Sequence, residues 1–504
     1  MNAQPYVALK GITKAFGPVL ANDNVELNVH KGEILALLGE NGSGKSTLMN
    51  ILSGIYAPDK GSITIGGEKV KIRSPQDAEK LGIGMIHQHF KLVEALSAQE
   101  NIVGGLKKGF FLDEHRRAKE LTELSAHYGL SINLHKKVYD MSIGEKQTVE
   151  IMKAVYRRAK ILILDEPTAV LTPQETRRLF DILRTMKADG CAIVIITHKL
   201  DEVMEISDKV TVLRKGQSIK TLVTAETNTH ELTECMVGHA MDLSIRRTEK
   251  KAADKPLLTL SHVTVKDRSK RVLLDDASLE VYPGEILGIA GVAGSGQREL
   301  CEAITGMLPS KGEIMLGGKK LSGMTPRSMR KAGIQIGFVP EDRLGMGLVG
   351  GMSVRDNAIL KSYRSTKGVF IDRKHANELS HRIVEQYNVS TPGVGQIIRR
   401  LSGGNIQKIL LGRELEDKPE LLITAYPVRG LDIGASYYIY DIINREKARG
   451  AGVLFIGEDI DVLMALCDRI AVMSDGKLMG VVDAAAAEKE EIGLMMMGHA
   501  KEAE

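Results

Sequence analysis

The sequence of 504 residues has no tryptophan, few aromatic residues (4%) and only four cysteines. The cysteines lie far apart and form no C-x-x-C pair, which argues against a zinc site or a disulfide framework and is typical of a reducing cytosol. No apolar run approaches the roughly 18 residues that a membrane-spanning helix needs, and the N-terminus has no basic-then-apolar signal segment. We therefore expect a chain that is soluble by itself, so that any membrane role requires a partner.

An excess of charge of either sign is also missing, because 68 basic residues stand against 64 acidic ones. The composition therefore gives no electrostatic reason to expect nucleic acid as a partner. A hydrophobic content of 43% with 26% charged residues is ordinary for a globular protein. Since 504 residues exceed what a single core usually holds, two domains of about 250 residues each are expected.

What is present is a glycine-rich loop, GENGSGKST, between an apolar run (residues 34–38) and a segment with helical spacing. Strand, loop and helix in this order identify G-x-x-x-x-G-K-[ST] as a phosphate-binding loop. Backbone N–H groups and the helix N-terminus would surround the phosphates. Lys45 would pair with the β- and γ-phosphates, and the Ser46 hydroxyl would bind Mg²⁺. The residues predicted to contact the nucleotide here are Gly39, Asn41, Gly42, Ser43, Gly44, Lys45, Ser46 and Thr47.

Polar side chains follow three further apolar segments of the first half of the chain. Gln88 follows the first, Asp165 and Glu166 follow the second, and His198 follows the third. Ligands of parallel sheets lie beyond the carboxyl ends of the strands, so we expect these groups to meet at the loop. Gln88 could reach Mg²⁺ or water, and Asp165 would hold Mg²⁺ through water. Glu166 would orient or deprotonate the attacking water, and His198 would contact the γ-phosphate.

Two other segments complete the description of the first half. Phe16, upstream of the loop, could stack on adenine, although a core or hairpin role is equally open from the residues alone. Residues 113–139 are rich in charge at helical spacing and predict a helical insertion with solvated faces.

The chain contains an internal repeat. Lys31-Gly32-Glu33-Ile34-Leu35 recurs as residues 283–287, an offset of 252 (283 − 31), and the Asp208 segment recurs at Asp468, an offset of 260 (468 − 208). A nearly constant offset indicates a duplicated domain. We predict a first domain over residues 1–245, a charged and solvated linker over 246–255, and a second domain over 256–504.

The second repeat has lost the chemistry of the first. The residues that replace Lys45, Ser46, Gln88, Asp165, Glu166 and His198 are, in order, Gln297, Arg298, Glu341, Ala425, Tyr426 and Glu458. The lysine, the magnesium ligands, the water-orienting acid and the histidine are all absent. We therefore expect no hydrolysis in the second repeat.

These motifs in this order resemble those of ABC-type ATPases. The phrases HQHF (87–90), EPTAVLTPQE (166–175) and VPEDR (339–343) are similar to the tandem ATP-binding subunit of bacterial sugar and nucleoside importers. They are most similar to its nucleoside branch, which is linked to basic membrane lipoproteins. The resemblance implies an α/β fold with two tandem P-loop ABC-type ATPase domains. Each would have a RecA-like parallel-sheet core, an antiparallel β subdomain and a helical insertion.

The resemblance also implies a composite site. In the ABC architecture two domains face head to tail, and each nucleotide lies between one phosphate loop and the signature segment of the other domain. Residues 401–405, LSGGN, keep the signature, whereas residues 141–145, MSIGE, depart from it. The intact loop of the first repeat would therefore meet Ser402, Gly403 and Gly404, giving one competent and one degenerate site. This pairing is expected within one chain.

The implied function is that of an ATP-hydrolysing, energy-coupling subunit of an ABC importer for nucleosides or simple sugars. The implied partners are two integral-membrane permease subunits and, through them, an external solute-binding protein, with no nucleic acid. The implied location is the cytoplasmic face of the cell membrane, as a peripheral protein. The alternative, a soluble tandem ABC ATPase acting on ribosomes or nucleic acid, is disfavoured by the short linker and the degraded second site. The sequence leaves open the solute, nucleotide binding at the degenerate site, and the use of one or two kinds of permease subunit.

Overall fold

A computed structural model of the chain describes residues 4–17, 19–87, 90–105, 114–169, 171–238, 245, 247–249, 254–292, 294–363 and 370–499. The chain divides into two compact units, Met1–Asp242 and Leu243–Glu504. Among the described residues, no helix is long and apolar enough to cross a membrane.

The strands of the first unit form two sheets. Their bounds are β1 Val7–Phe16, β2 Val19–Val29, β3 Ile34–Leu38, β4 Lys60–Ile65, β5 Glu68–Val70, β6 Ile83–Ile86, β7 Ile161–Asp165, β8 Ala192–Thr197, β9 Lys209–Arg214 and β10 Gln217–Val223. One sheet has the order β2-β1-β4-β5 and is antiparallel. The other has the order β10-β9-β3-β8-β7-β6 and is parallel except for β10.

The helices of the first unit cover both faces of the six-stranded sheet. Their bounds are α1 Lys45–Leu52, α2 Pro75–Lys80, α3 Ala98–Val103, α4 Glu114–His127, α5 Ile143–Tyr156, α6 Pro173–Ala188, α7 Leu200–Ile206 and α8 Thr229–Val237, with 3₁₀ turns at Val138–Asp140 and Thr224–Glu226. The helix α4 confirms the predicted helical insertion.

The central strands are apolar without alternation because both of their faces are buried. Leu35 and Leu37 of β3 pack in the cluster that contains α1 and the antiparallel sheet. Ile34, on the opposite face of the same strand, packs in the cluster formed by α5 and α6. The two clusters fix β3 between two layers, and so fix the start of the loop that follows it.

The second unit repeats this architecture. Its strands are β11 Leu258–Lys266, β12 Val272–Val281, β13 Ile286–Ala290, β14 Ser310–Leu316, β15 Lys319–Lys320, β16 Ile336–Val339, β17 Leu421–Ala425, β18 Gly452–Ile456, β19 Arg469–Ser474 and β20 Lys477–Asp483. The antiparallel sheet has the order β12-β11-β14-β15, and the six-stranded sheet β16-β17-β18-β13-β19-β20.

The helices of the second unit are α9 Gln297–Ile304, α10 Pro326–Lys331, α11 Val354–Ala358, α12 Arg373–Gln386, α13 Gly403–Leu415, α14 Ile433–Arg449, α15 Ile460–Leu466 and α16 Lys489–Met496, with a π-helical turn at Arg343–Gly347 and a 3₁₀ turn at Ile398–Arg400. Both units are therefore α/β domains with a parallel core and an antiparallel subdomain. This confirms the predicted fold class.

The segment predicted to be a solvated linker is in part packed. The Arg247 guanidinium donates to the main-chain oxygens of Met464 and Ala465, and the Thr248 oxygen accepts a hydrogen bond from Lys447. Lys447 is buried and pairs with Asp468 at 2.8 Å. The prediction of full solvation is wrong for Arg247 and Thr248, because a buried lysine uses this backbone as a hydrogen-bond acceptor.

Candidate functional site

The phosphate loop occupies the six residues between the end of β3 at Leu38 and the start of α1 at Lys45. Its turn depends on Gly44, whose φ of 100° lies in the left-handed region. A Cβ at Gly44 would lie 2.3 Å from the main-chain oxygen of Ala21 and 2.6 Å from Asn22 Nδ2. Only glycine fits here, because any side chain would collide with the first residues of β2 and strain the backbone.

Lys45 is buried and turns back over this loop. Its Nζ donates to the main-chain oxygens of Gly39 at 2.6 Å and Glu40 at 2.9 Å. Burial lowers the pKa of the Lys45 ammonium, while Glu166, Asp165 and Glu40 act in the opposite direction. The loop therefore holds a desolvated cation where the phosphate groups of a nucleotide would lie.

The hydroxyl groups of the loop are placed to receive those phosphates. Ser43 is buried, and its Oγ is without a hydrogen-bond partner among the described residues. Such an atom costs free energy unless a ligand or water satisfies it. Asn41, Gly42 and Ser46 are exposed at the mouth of the loop, and Thr47 is half-buried behind them.

The paired acids come from the end of β7, two strands away from β3 in the sheet. Burial, and then the neighbouring charge of Glu166, raise the pKa of Asp165; Lys45 and a hydrogen bond with Ser46 oppose this. The Ser46 hydroxyl and the Asp165 carboxylate supply oxygen ligands of the kind that Mg²⁺ prefers, so these two residues fit a divalent cation.

Glu166 and His198 are in direct contact. His198 Nδ1 lies 3.0 Å from Glu166 Oε1, and this hydrogen bond is the main cause of the lowered pKa of Glu166. Glu166 has a φ of 46°, a left-handed conformation that costs a side-chain-bearing residue free energy and that is common where geometry serves function. The structure thus brings both predicted catalytic groups together.

A further acid, Glu202, supports the two strand ends and was not predicted. Its Oε2 accepts hydrogen bonds from Thr168 at 2.6 Å and Thr197 at 3.3 Å, and Lys199 pairs with its other oxygen at 3.1 Å. These bonds connect the chain after β7 to the chain after β8. They therefore fix the relative positions of Glu166 and His198.

Two predicted residues remain, Gln88 and Phe16. Gln88 lies outside the described residues. Phe16 lies at the end of β1 with 41% of its surface exposed, in an edge-to-face contact with Tyr56 at 5.2 Å between ring centroids. The exposed ring is open to stacking, and the sequence analysis did not single out Tyr56.

The two signature segments differ in their helix N-termini. In the first unit Ser142 and Glu145 form a capping box, and the Glu145 carboxylate also accepts from Lys136 at 2.8 Å. Burial opposes the effect, but these hydrogen bonds keep the pKa of Glu145 below its usual value. In the second unit the Ser402 side chain makes no such cap, and its Oγ accepts a hydrogen bond from Asn405 Nδ2 at 2.8 Å. The N-terminus of α13 therefore carries no carboxylate of its own.

The phosphate loop of the second unit has the same left-handed glycine as that of the first but lacks the lysine. Gly296 has a φ of 98°, as Gly44 has 100°, but Gln297 replaces the lysine and donates to the main-chain oxygen of Val292 at 3.0 Å. Arg298, in the place of Ser46, pairs with Glu302 at 2.7 Å.

Comparison with known proteins agrees with this geometry. The profile of the ABC transporter family matches residues 22–169 and 274–427, which together are more than half of the chain. The chain belongs to the ABC transporter family, and it is an ATPase of that family.

Three curated relatives match almost the whole chain. The guanosine import ATP-binding protein NupO of Bacillus subtilis (strain 168) is 44% identical over 98% of this chain and 97% of its own length. The nucleoside import ATP-binding protein NupA of Lactococcus lactis is 41% identical over 99% of both chains. The ribose import ATP-binding protein RbsA of Clostridium tetani is 39% identical over 98% of this chain and 97% of its own length.

Substitution of Gly44 by alanine tests the loop geometry. We expect Gly44→Ala to reduce ATP affinity by roughly 100-fold, because the new Cβ would displace the loop from Ala21. Binding of a fluorescent ATP analogue to the purified chain measures the effect. Gly129→Ala is the control, since Gly129 has a similar positive φ of 63° with nothing within 4 Å. Equal affinities for the two variants would contradict the assignment.

Proposed function

We propose that the chain is the energy-coupling ATPase of an importer for nucleosides, with simple sugars as the second candidate class of solute. The observation that carries the proposal is the convergence of Lys45, Ser46, Asp165, Glu166 and His198 at one edge of the first parallel sheet. ATP binding closes the two domains on each other, hydrolysis reopens them, and membrane partners use this motion.

The nucleoside class is preferred for two reasons. The HQHF and EPTAVLTPQE phrases resemble the nucleoside branch, and the relatives at 44% and 41% identity are named for guanosine and nucleoside import. The relative named for ribose import is 39% identical. The difference is small, so sugars remain the alternative class.

Different groups around the loop bind the phosphates, the adenine ring and the metal ion. The loop N–H groups and the Ser43 hydroxyl bind phosphate oxygens, and Lys45 neutralises the β- and γ-phosphates. Phe16 stacks on the adenine ring. Ser46, Gln88 and Asp165 hold Mg²⁺, which when bound supplies the positive charge that the clustered carboxylates lack.

Glu166 and His198 act on the attacking water. The Glu166 carboxylate orients the water and accepts its proton, which requires the ionised form that the lowered pKa maintains. His198 holds the carboxylate and contacts the γ-phosphate. In this assignment Lys45, Gln88, Glu166 and His198 are the catalytic residues.

Ser402, Gly403 and Gly404 of the second domain complete the site over the γ-phosphate. The support for this step is the contrast between the helix N-termini: the one after Ser402 lacks a carboxylate, whereas the one after Ser142 carries Glu145. A helix N-terminus without an acid favours an anion such as the γ-phosphate. The tandem domains pair within one chain.

The partners follow from the importer role. Two integral-membrane permease subunits receive the motion, and an external solute-binding protein delivers the solute to them. The chain acts at the cytoplasmic face of the membrane, where ATP is available. Purification of the tagged chain from detergent-solubilised membranes of its own cells tests this: we expect one or two polytopic membrane proteins to co-purify. Co-purification of ribosomal proteins or nucleic acid would favour the soluble alternative.

Substitution of Glu166 tests the catalytic assignment. We expect Glu166→Gln to lower steady-state hydrolysis by at least about 100-fold, because the amide cannot accept the proton. ATP binding should persist, since the phosphate ligands are intact. Glu205→Gln in the same unit, at an exposed carboxylate, is the matched control and should leave turnover unchanged. Retained hydrolysis in Glu166→Gln would refute the assignment.

Substitution of Ser402 tests the pairing of the domains. We expect Ser402→Arg to reduce hydrolysis by about 100-fold, because the bulky cation replaces a phosphate-binding hydroxyl. The corresponding change Ser142→Arg, in the signature segment of the first unit, should have a much smaller effect on the rate. ATPase rates of both folded variants decide the point. The opposite order of effects would contradict the proposed pairing.

A further inference from the structure

An arginine lies among the strand ends of the second unit that correspond to the catalytic edge of the first. Arg429 corresponds to Ala169 at the offset of 260 (429 − 169). Around it are Glu341 after β16, Tyr426 after β17 and Glu458 after β18, three strands that are neighbours in the sheet. The sequence analysis did not single out Arg429, although the repeat offset shows the gain of an arginine at this position.

Arg429 contacts all three of these residues. Its Nη1 donates to Glu341 Oε1, and its Nε lies 3.3 Å from Glu458 Oε1. The guanidinium carbon lies 5.9 Å from the centre of the Tyr426 ring, within range of a cation–π contact. The main-chain oxygen of Arg429 accepts a hydrogen bond from Arg343. One guanidinium thus bridges the ends of β16 and β18 across the end of β17.

Four residues at this edge differ from their counterparts in the first unit, and one of them, Arg429, contacts the other three. Gln88 and His198 of the first unit become the acids Glu341 and Glu458, and Ala169 becomes the cation that pairs with both. The water-orienting Glu166 becomes Tyr426, whose ring faces that cation. Tyr426 nevertheless keeps the φ of its counterpart, 49° against 46°, so the backbone frame of the site is retained.

We propose that Arg429 is a specificity-determining residue that occupies the place of the metal ion and γ-phosphate in the second unit, so that the chain binds one Mg²⁺·ATP rather than two. The inference rests on the proposed function of the first unit, and it assigns Arg429 as the group that takes the place of the metal ion and γ-phosphate at the strand ends of the second unit.

The remaining groups of this site also oppose binding of a metal-bound triphosphate. Arg298 and Ala425 stand where Ser46 and Asp165 would hold the metal ion, so neither metal ligand is present. A triphosphate would have to break the two ion pairs of Arg429 and would then face two carboxylates. Arg298, Glu341, Tyr426 and Arg429 all line one cavity of about 340 Å³, so the ion-paired groups form its wall.

The signature segment of the first unit also contains a charged side chain where a phosphate would bind. Its signature segment carries Glu145, which accepts hydrogen bonds from the Ser142 N–H at 2.7 Å and from Lys136. A phosphate at this N-terminus would meet a carboxylate already bound there. Each half of the degenerate site therefore contains a charged group of its own: a cation in the cradle of the second unit and an anion at the signature segment of the first.

Counting bound nucleotide tests the inference. Equilibrium dialysis of full-length Glu166→Gln protein with radiolabelled ATP and Mg²⁺ prevents turnover and measures the number of sites. We expect one ATP per chain at saturation. Adding Lys45→Ala should lower the affinity of that site more than tenfold, since the phosphate-binding cation is lost.

The outcomes distinguish the two proposals. Two ATP per chain, or one ATP whose affinity Lys45→Ala leaves unchanged, would overturn the inference about the second unit. No binding at any ATP concentration would overturn the proposed function itself, and the inference with it.

Hydrogen exchange tests the role of Arg429 directly. In Arg429→Ala we expect severalfold faster amide exchange in residues 341–347 and around Glu458, because the bridge between these segments is lost. Arg445→Ala is the matched control, since it breaks an exposed ion pair with Asp441 on α14 of the same unit. Unchanged exchange in Arg429→Ala would overturn the inference.

Discussion

The hydrogen-bonded order of β3, β8, β7 and β6 is the constraint on which the nucleotide site depends. Parallel pairing brings the carboxyl ends of these strands to one edge, so residues on different strands, 32 positions apart in sequence (198 − 166), meet within hydrogen-bond distance. The 3.0 Å contact between Glu166 and His198 is a direct result. Two buried clusters hold the sheet from both sides, and the apolar strands leave the chemistry to the first residues beyond their ends.

The two units share the same arrangement of strands but differ in the charged side chains at the strand ends. In the first unit, Asp165 and Glu166 stand near the buried Lys45, and burial, followed by the neighbouring charge of Glu166, raises the pKa of Asp165. In the second unit the charged groups neutralise one another, with Arg429 between Glu341 and Glu458. The difference arises from side chains alone, because Glu166 and Tyr426 share the same left-handed backbone.

Much of this could be predicted from the sequence. The apolar runs at β3 and β8 and the glycine loop predicted the positions of Lys45, Asp165, Glu166 and His198, and the resemblance to ABC-type ATPases implied the fold class. The contacts of Arg429 and Glu202 could not be predicted, because they depend on how long side chains reach between neighbouring strand ends. The packing of Arg247 and Thr248 was missed for a related reason. A charged, aperiodic segment is typical of a solvated linker, and the buried Lys447 that binds it lies almost 200 residues away.

The N-termini of α5 and α13 differ in whether they carry a carboxylate, and this difference accompanies the loss of catalytic residues in the second repeat. A helix N-terminus that no longer binds phosphate has N–H groups to satisfy, and Glu145 satisfies them from within its own first turn. The second unit lacks the lysine and the metal ligands, and at its strand ends Arg429 pairs with the carboxylates of Glu341 and Glu458. In both cases the substituting side chain makes contacts within its own domain that would have to be broken before a phosphate or a metal ion could bind there. The strand ends of the first unit differ in this respect: they carry a buried lysine and two acids, and the buried Ser43 hydroxyl beside them has no hydrogen-bond partner among the described residues, so a phosphate oxygen could satisfy it.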